Sequence, residues 1–285
     1  MSIEAGILYV VATPIGNLGD ITPRALEVLQ GVDVIAAEDT RHSGVLLRHF
    51  GIDTRLVALH EHNEQRVCGE LALRLERGES IALISDAGTP LISDPGFHLI
   101  REAAGRGLKL VPIPGASATI TALSVSALPT DRFVFEGFLP AKGGARRKHL
   151  ESLREEPRTL IFFEAPHRIL DTLVDMVAIF GAERPAVLAR ELTKTFETLY
   201  RDTLEGVRRF VETDSDQRRG EIVLMLHGAP RREAEAGLEP ESCRVATLLA
   251  ESLPVKQAAQ LTARITGAKK NLIYEYLVKG DGEAQ

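Results

Sequence analysis

Apolar and polar positions along most of the chain follow one repeating order: a short apolar run, a glycine- or proline-rich loop, then helical spacing. Ile7-Leu8-Tyr9-Val10-Val11-Ala12-Thr13 is the first such run, and others stand at 32–36, 56–59, 81–84 and 108–113. Their length and β-branched content predict buried strands. Strands separated by helical patterns point to a mainly parallel sheet. Beyond Pro129 the texture changes. Runs at 133–138, 159–164, 186–192, 197–201 and 221–226 predict a second sheet, the first of them aromatic, with a boundary near 118–129. After Gly228-Ala229-Pro230 a charged, low-aromatic linker extends to about Pro240. The last forty-odd residues read as helical, with apolar spacing at 257–265 and 272–278 around Gly267-Ala268-Lys269-Lys270-Asn271. The expected domains are 1–120, 121–230 and a helix-turn-helix-like appendage over 231–285.

Three strand-to-loop-to-helix junctions carry the chemistry. The first is Pro14-Ile15-Gly16-Asn17-Leu18-Gly19-Asp20, after which Thr22-Pro23 caps a helix running to about Gln30. Pro14 stands where a dinucleotide fingerprint needs its first glycine, and no Gly-Lys-Ser/Thr occurs anywhere. The second is Ser85-Asp86-Ala87-Gly88-Thr89-Pro90-Leu91-Ile92-Ser93-Asp94-Pro95-Gly96, where Asp94-Pro95 reads as an N-cap followed by a first-turn proline. The third, Pro112-Ile113-Pro114-Gly115-Ala116-Ser117-Ala118, opens a small-residue helix over 116–127. Loops of this kind at the carboxyl ends of strands are where α/β sheets hold ligands. Residues 142–148 read as a flexible basic loop holding Lys142, Arg146, Arg147 and Lys148 with no acid.

Composition narrows the class. The 285 residues are 44% hydrophobic and 26% charged, as in an ordinary globular protein. No run approaches the roughly 20 apolar residues of a membrane span, and the start lacks a signal-peptide pattern, so a cytoplasmic protein without membrane contact is expected. Cys68 and Cys243 lack metal-type spacing, and His60-Glu61-His62 has no third ligand to complete a site, so no metal is expected. Ser117 fails the nucleophile-elbow pattern because Thr119 stands where glycine is required. A net charge of −6 argues against wrapping duplex nucleic acid, although a local basic patch suffices to hold RNA phosphates.

Several of these segments together resemble one family. They are Val11 through Asp20, Ala37-Glu38-Asp39-Thr40-Arg41, the Asp86 to Gly96 loop, Pro112 through Ser117 and Phe163-Glu164-Ala165-Pro166-His167-Arg168. Arg190-Glu191-Leu192-Thr193-Lys194 with Glu197, and Arg219-Gly220-Glu221-Ile222, complete the set. In order and over nearly the whole chain, they resemble the tetrapyrrole methylase superfamily, in its branch of small-subunit ribosomal RNA methyltransferases. Val255-Lys256-Gln257-Ala258-Ala259 and Lys269-Lys270-Asn271 resemble the final helical domain of that branch. The resemblance implies two α/β domains with a cofactor cleft between them and a small helical C-terminal domain. It also implies S-adenosylmethionine as cofactor, a homodimer, and 2′-O-methylation of a cytidine in the decoding region of 16S ribosomal RNA in the small ribosomal subunit. Pro14-Ile15-Gly16-Asn17 and Asp86-Ala87-Gly88 replace the glycine-rich and Gly-Asp-Pro loops of porphyrin-type members, which weakens a tetrapyrrole assignment.

By motif position the resemblance puts Pro14, Asp86, Ala87, Gly88, Ile92, Ser117, Phe163, Ala165, Gly220, Glu221 and Ile222 against the cofactor. A ribose 2′-hydroxyl is a poor nucleophile, so a general base is expected to contribute roughly 10²–10⁴-fold. Glu38, Asp39, Glu164 and Glu191 stand at strand ends as carboxylate candidates, with His42 and His167 beside them. Each carboxylate equally fits an N-cap or a partner for Arg41, Arg168 or Arg190, and alignment alone is an alternative to a base. For RNA phosphates the expected cations are Arg41, Lys142, Arg146, Arg147, Lys148 and Lys194. The competing readings are methylation of a cobalamin or siroheme precursor and a ribosome-binding module without turnover.

Overall fold

A computed structural model describes residues 3–60, 62–230, 238 and 240–280; most of the expected linker lies outside them. The first half alternates β1 (Ile7–Val11), α1 (Pro23–Gly31), β2 (Val34–Ala37), α2 (Thr40–His49), β3 (Leu56–Ala58) and α3 (Glu64–Glu76). It continues with β4 (Ile81–Ile84), α4 (Phe97–Gly105), β5 (Lys109–Ile113) and α5 (Ala118–Ser124). Then come β6 (Phe133–Phe138), α6 (Gly143–Ser152), β7 (Thr159–Glu164), α7 (Ile169–Phe180), β8 (Pro185–Arg190), β9 (Thr198–Thr203), α8 (Leu204–Thr213) and β10 (Ile222–Leu226). Three helices close the chain: α9 (Pro240–Ala250), α10 (Val255–Thr266) and α11 (Lys270–Gly280).

The first sheet has the order β3-β2-β4-β1-β5 and is parallel throughout. Its strands read as continuous apolar runs because both faces are covered. Tyr9, Val11, Ile35 and Ile84 pack under α1 and α2, whereas Leu8, Val34, Ala36 and Leu83 pack under α3 and α4. The second sheet has the order β6-β7-β10-β8-β9, with only β6 and β7 parallel. One face holds Phe162, Leu188 and Leu224 against α6, α7 and α8. The other presents Ile161, Val187, Ala189 and Val223 to Ile15 and to Ala122 and Leu123 of α5. Both sheets belong to one compact unit, Met1–Ala229. Pro230–Gln285 forms a second unit, whose α9, α10 and α11 enclose Ala246, Ala258, Ala259, Ile273 and Leu277.

Two local expectations need correction. Residues 142–148 are not a loop: α6 starts at Gly143, and its Arg146 and Leu150 turn inward. The paired glycines hid a helix whose side chains have buried partners. Nor does Asp94 cap α4. Gly96 takes the cap position at φ +121°, and buried Glu64 of α3 supplies the acceptor, taking Gly96 N–H and His98 N–H at 2.9 Å each. A capping carboxylate roughly 110 Å of extended chain away in sequence is invisible to a local pattern, since about 3.4 Å is added per residue. Glu64→Ala should cost about 1–2 kcal/mol by denaturant unfolding, as two charge-assisted amide bonds are lost. Glu64→Gln should recover part of that, and an alanine loss near zero would make the cap dispensable.

Candidate active site

The carboxyl ends of the parallel strands need something to hold their loops together, and the main chain provides it. Thr13 and Gly88 exchange hydrogen bonds, N–H to O at 2.9 and 3.1 Å, as an antiparallel bridge between the loops after β1 and β4. Gly88 has φ +82°, which a side chain rarely tolerates. Thr89 Oγ1 donates to the Ala116 carbonyl at 3.0 Å, adding the loop after β5 to the assembly. Opposite these loops stands the inner face of the second sheet. Between them lies a cavity of about 370 Å³, within the range of small-molecule sites.

Of the expected cofactor residues, Ala87, Gly88, Ile92, Ser117, Phe163, Ala165, Glu221 and Ile222 line this cavity. Pro14, Asp86 and Gly220 are not on its wall. Asp86 instead accepts the Asp39 N–H at 3.1 Å, and a Cβ on Gly220 would lie 2.3 Å from Glu191 Oε1. The sequence reading missed Ile15, Thr89, Asp94, Thr119, Phe138 and Leu192, all on the wall. Asp94 was hidden by its resemblance to a helix cap. Phe138 had a signal that went unread: the aromatics at 133 and 135 keep a strand period of two, and the next comes three residues later.

The four carboxylate candidates are differently occupied. Asp39 caps α2, and its hydrogen bonds to the Arg41 guanidinium and amide hold its carboxyl down to about 2. Glu164 is buried on the cavity wall, yet its oxygens accept from Ala165 N–H at 2.8 Å and Thr172 Oγ1 at 2.6 Å beside Arg168. Burial would raise Glu191, but Lys194 Nζ at 2.9 Å and the Glu221 amide at 2.9 Å hold it below the usual range. Three of the four are therefore committed to structural partners. Glu38 is raised by burial and by Asp86 and Asp94 nearby, but it does not reach the cavity. Asp94 does. Burial pushes its carboxyl up to about 6, against a Ser85 hydrogen bond and with the Asp86 charge adding to the rise.

The expected phosphate cations also divide. Arg146 is withdrawn: it is 6% exposed and its Nε lies 2.7 Å from Asp175 Oδ2. Arg147 is exposed but shares Asp175 at 3.3 Å. Lys194 bridges Glu191 and Glu221 at 2.9 and 3.1 Å. Its stem crosses Gly16, where a Cβ would lie 2.3 Å from Lys194 Cγ. Arg41 is 91% exposed while pairing with Asp39. Lys142, at the N-cap of α6, and Lys148 within that helix are exposed. Elsewhere, His60 and His62 have ring centroids 6.1 Å apart, and the described residues contain no group of three or more ligands fit for a metal.

This architecture has known counterparts. The family described as Tetrapyrrole (Corrin/Porphyrin) Methylases matches residues 7–207, and the RsmI C-terminal HTH domain matches 236–280. A Pseudomonas aeruginosa protein named Ribosomal RNA small subunit methyltransferase I is 56% identical over 281 residues, 99% of this chain and 100% of that one. Its namesake in Haemophilus influenzae is 55% identical, covering 95% of this chain and 96% of the relative. Among solved structures, Thermus thermophilus uroporphyrin-III C-methyltransferase complexed with S-adenyl homocysteine is similar at a TM-score of 0.52 and 16% identity, over 78% of this chain and 96% of that one. The last likeness is one of fold. Paired sheets, loops joined at one end of the parallel strands and full-length matches converge: the chain belongs to the tetrapyrrole methylase family.

Proposed function

We propose that this protein is an S-adenosylmethionine-dependent methyltransferase acting on the 2′-hydroxyl of a cytidine in the decoding region of 16S ribosomal RNA. The observation that carries the reading is the cavity at the joined loops, in a chain that matches small-subunit rRNA methyltransferases from end to end. The cavity suits the cofactor's chemistry. Ile15, Ile92, Leu192 and Val223 offer apolar walls for an adenine, and small residues at 87, 88, 117 and 118 leave backbone polar groups approachable. Thr119 Oγ1 is buried on that wall without a hydrogen-bond partner among the described residues, an unmet need that a bound polar ligand answers.

Bound S-adenosylmethionine supplies an electrophilic methyl group on a sulfonium centre. The chain's part is to orient the acceptor in line and to manage its proton. Asp94 is the wall carboxylate whose pKa of about 6 suits a base working near neutrality. In this reading an Asp94 Oδ takes the 2′-hydroxyl proton as the oxygen attacks. Lys142 at the N-cap of α6 and Lys148 within it, both exposed, contact RNA phosphates. The protein works in the cytoplasm, where ribosomal subunits are, as a homodimer. Sedimentation should give twice the 31.1 kDa chain mass; a chain-mass value would remove the dimer from the reading.

Methyl incorporation from labelled S-adenosylmethionine into small subunits lacking the modification, followed by nucleoside analysis, tests the assignment. Label should appear in 2′-O-methylcytidine, and no label despite cofactor binding would redirect the search to a tetrapyrrole acceptor. The base must be unprotonated, so the single-turnover rate should fall about tenfold per pH unit below about 6 and level off above it. Asp94→Asn should lower that rate roughly 10²–10⁴-fold and abolish the bend. A variant within a few-fold of wild type would clear Asp94. Alanine at both Lys142 and Lys148 should raise the KM for subunits and make its salt dependence shallower, by up to about one unit of log–log slope per phosphate lost. An unchanged slope would take α6 out of the interface.

A further inference from the structure

The aromatic wall of the cavity is built by an irregularity that nothing in the cofactor chemistry requires. Strand β6 pairs with β7 in simple register through Phe135 and Ile161, then skips Glu136, so that Gly137 faces Phe162 and Phe138 faces Phe163. Gly137 takes φ +64° at the skip, and the Glu136 carboxylate is tied to His149 Nε2 at 2.9 Å. An extra residue reverses the alternation of side chains beyond it. Phe135 and Phe138 therefore share the inner face, while Leu139 joins the core under α6 and α7. Without the skip, Phe138 would be buried in that core. Instead it is 56% exposed and stands on the cavity wall. Its ring meets Phe163 at a tilt of 66° and 5.7 Å, which steadies it without covering its flat face.

A large apolar ring left half in water at a cavity mouth marks a contact to be made. We propose that Phe138 is the platform on which the base of the acceptor nucleotide stacks, a proposal that rests on the RNA-methylation reading of this site. The better-enclosed wall residues, Ala189, Leu192 and Val223, suit the cofactor, whereas the acceptor has to arrive from solvent past Phe138 and exposed Ile92. Only Leu139, Pro140 and Ala141 separate Phe138 from exposed Lys142, so one short stretch offers a ring for a base and a cation for its phosphate. Single-stranded bases are held in this manner, splayed out and stacked on aromatics.

The test uses the full-length enzyme with unmodified small subunits and measures kcat, KM and cofactor affinity for Phe138→Ala, Phe138→Leu, Phe138→Tyr and Phe138→Trp. The alanine variant should lose roughly 5- to 150-fold in kcat/KM, the range one stacked base supplies, mainly through KM for the subunit. Cofactor affinity, by calorimetry, should stay within about twofold. Tyrosine and tryptophan should restore most of the loss and leucine should not. Equal performance by leucine would reduce the role to apolar bulk, and wild-type kinetics in the alanine variant would remove any role; either overturns the proposal. A cofactor affinity that falls as far as kcat/KM would make Phe138 a cofactor wall and overturn it too. Failure of the wild-type enzyme to label any subunit is a different result, since it overturns the RNA reading and this proposal with it.

Discussion

The exchange of main-chain hydrogen bonds between Thr13 and Gly88 is the constraint on which the site depends. Parallel strands end in loops whose amides and carbonyls have no ladder to join, and such groups need partners when buried. Here the two central loops become each other's partner, and the Thr13 hydroxyl, 1% exposed, reaches the Ser85 carbonyl at 3.3 Å. With Thr89 tied to Ala116, three loops from adjacent strands form one floor. The second sheet can then face that floor across a fixed gap.

Most charges around the gap are consumed in holding it. Glu164 is fastened to the start of α7, and Arg146 is paired with Asp175 beneath α6. The Glu191–Lys194–Glu221 group stitches the loop after β8 to the start of β10 while the lysine stem lies over Gly16. Glu191 and Thr193 both have positive φ there, at 51° and 66°, a local cost that this network holds in place. Three groups on the cavity wall stand apart from that network: the Asp94 carboxylate raised by burial, the Thr119 hydroxyl without a hydrogen-bond partner among the described residues, and the half-exposed Phe138 ring.

Much of the fold was legible because buried strands announce themselves as apolar runs, and all ten stand within a few residues of where the pattern predicts them. Thr22-Pro23 likewise starts α1 as expected, with Thr22 Oγ1 accepting from Ala25 N–H at 3.1 Å. Strand order was not legible, since it depends on contacts distant in sequence. The same blindness explains the misreadings. Asp94-Pro95 looked like a cap because Glu64, thirty residues upstream, cannot be seen to do that work. Arg146 looked like its basic neighbours because Asp175 is far along the chain. On the cavity wall, loop residues such as Ala87 and Gly88 had been named by motif, whereas Asp94 and Phe138 were passed over because of tertiary capping and a skipped register.

The skip in β6 has an evolutionary side. Side-chain facing in a strand is a matter of parity, and the skip absorbs Glu136 as the odd residue, so loss of its codon would leave a regular strand with Phe138 still facing the cleft and Leu139 still facing the core. The strands beside it would keep their pairing, and the joined loops opposite would be untouched. One scaffold can thereby take in or drop a charged residue on this edge strand, with its contact to His149, and keep the same ring in the cleft and everything that holds the sheets together.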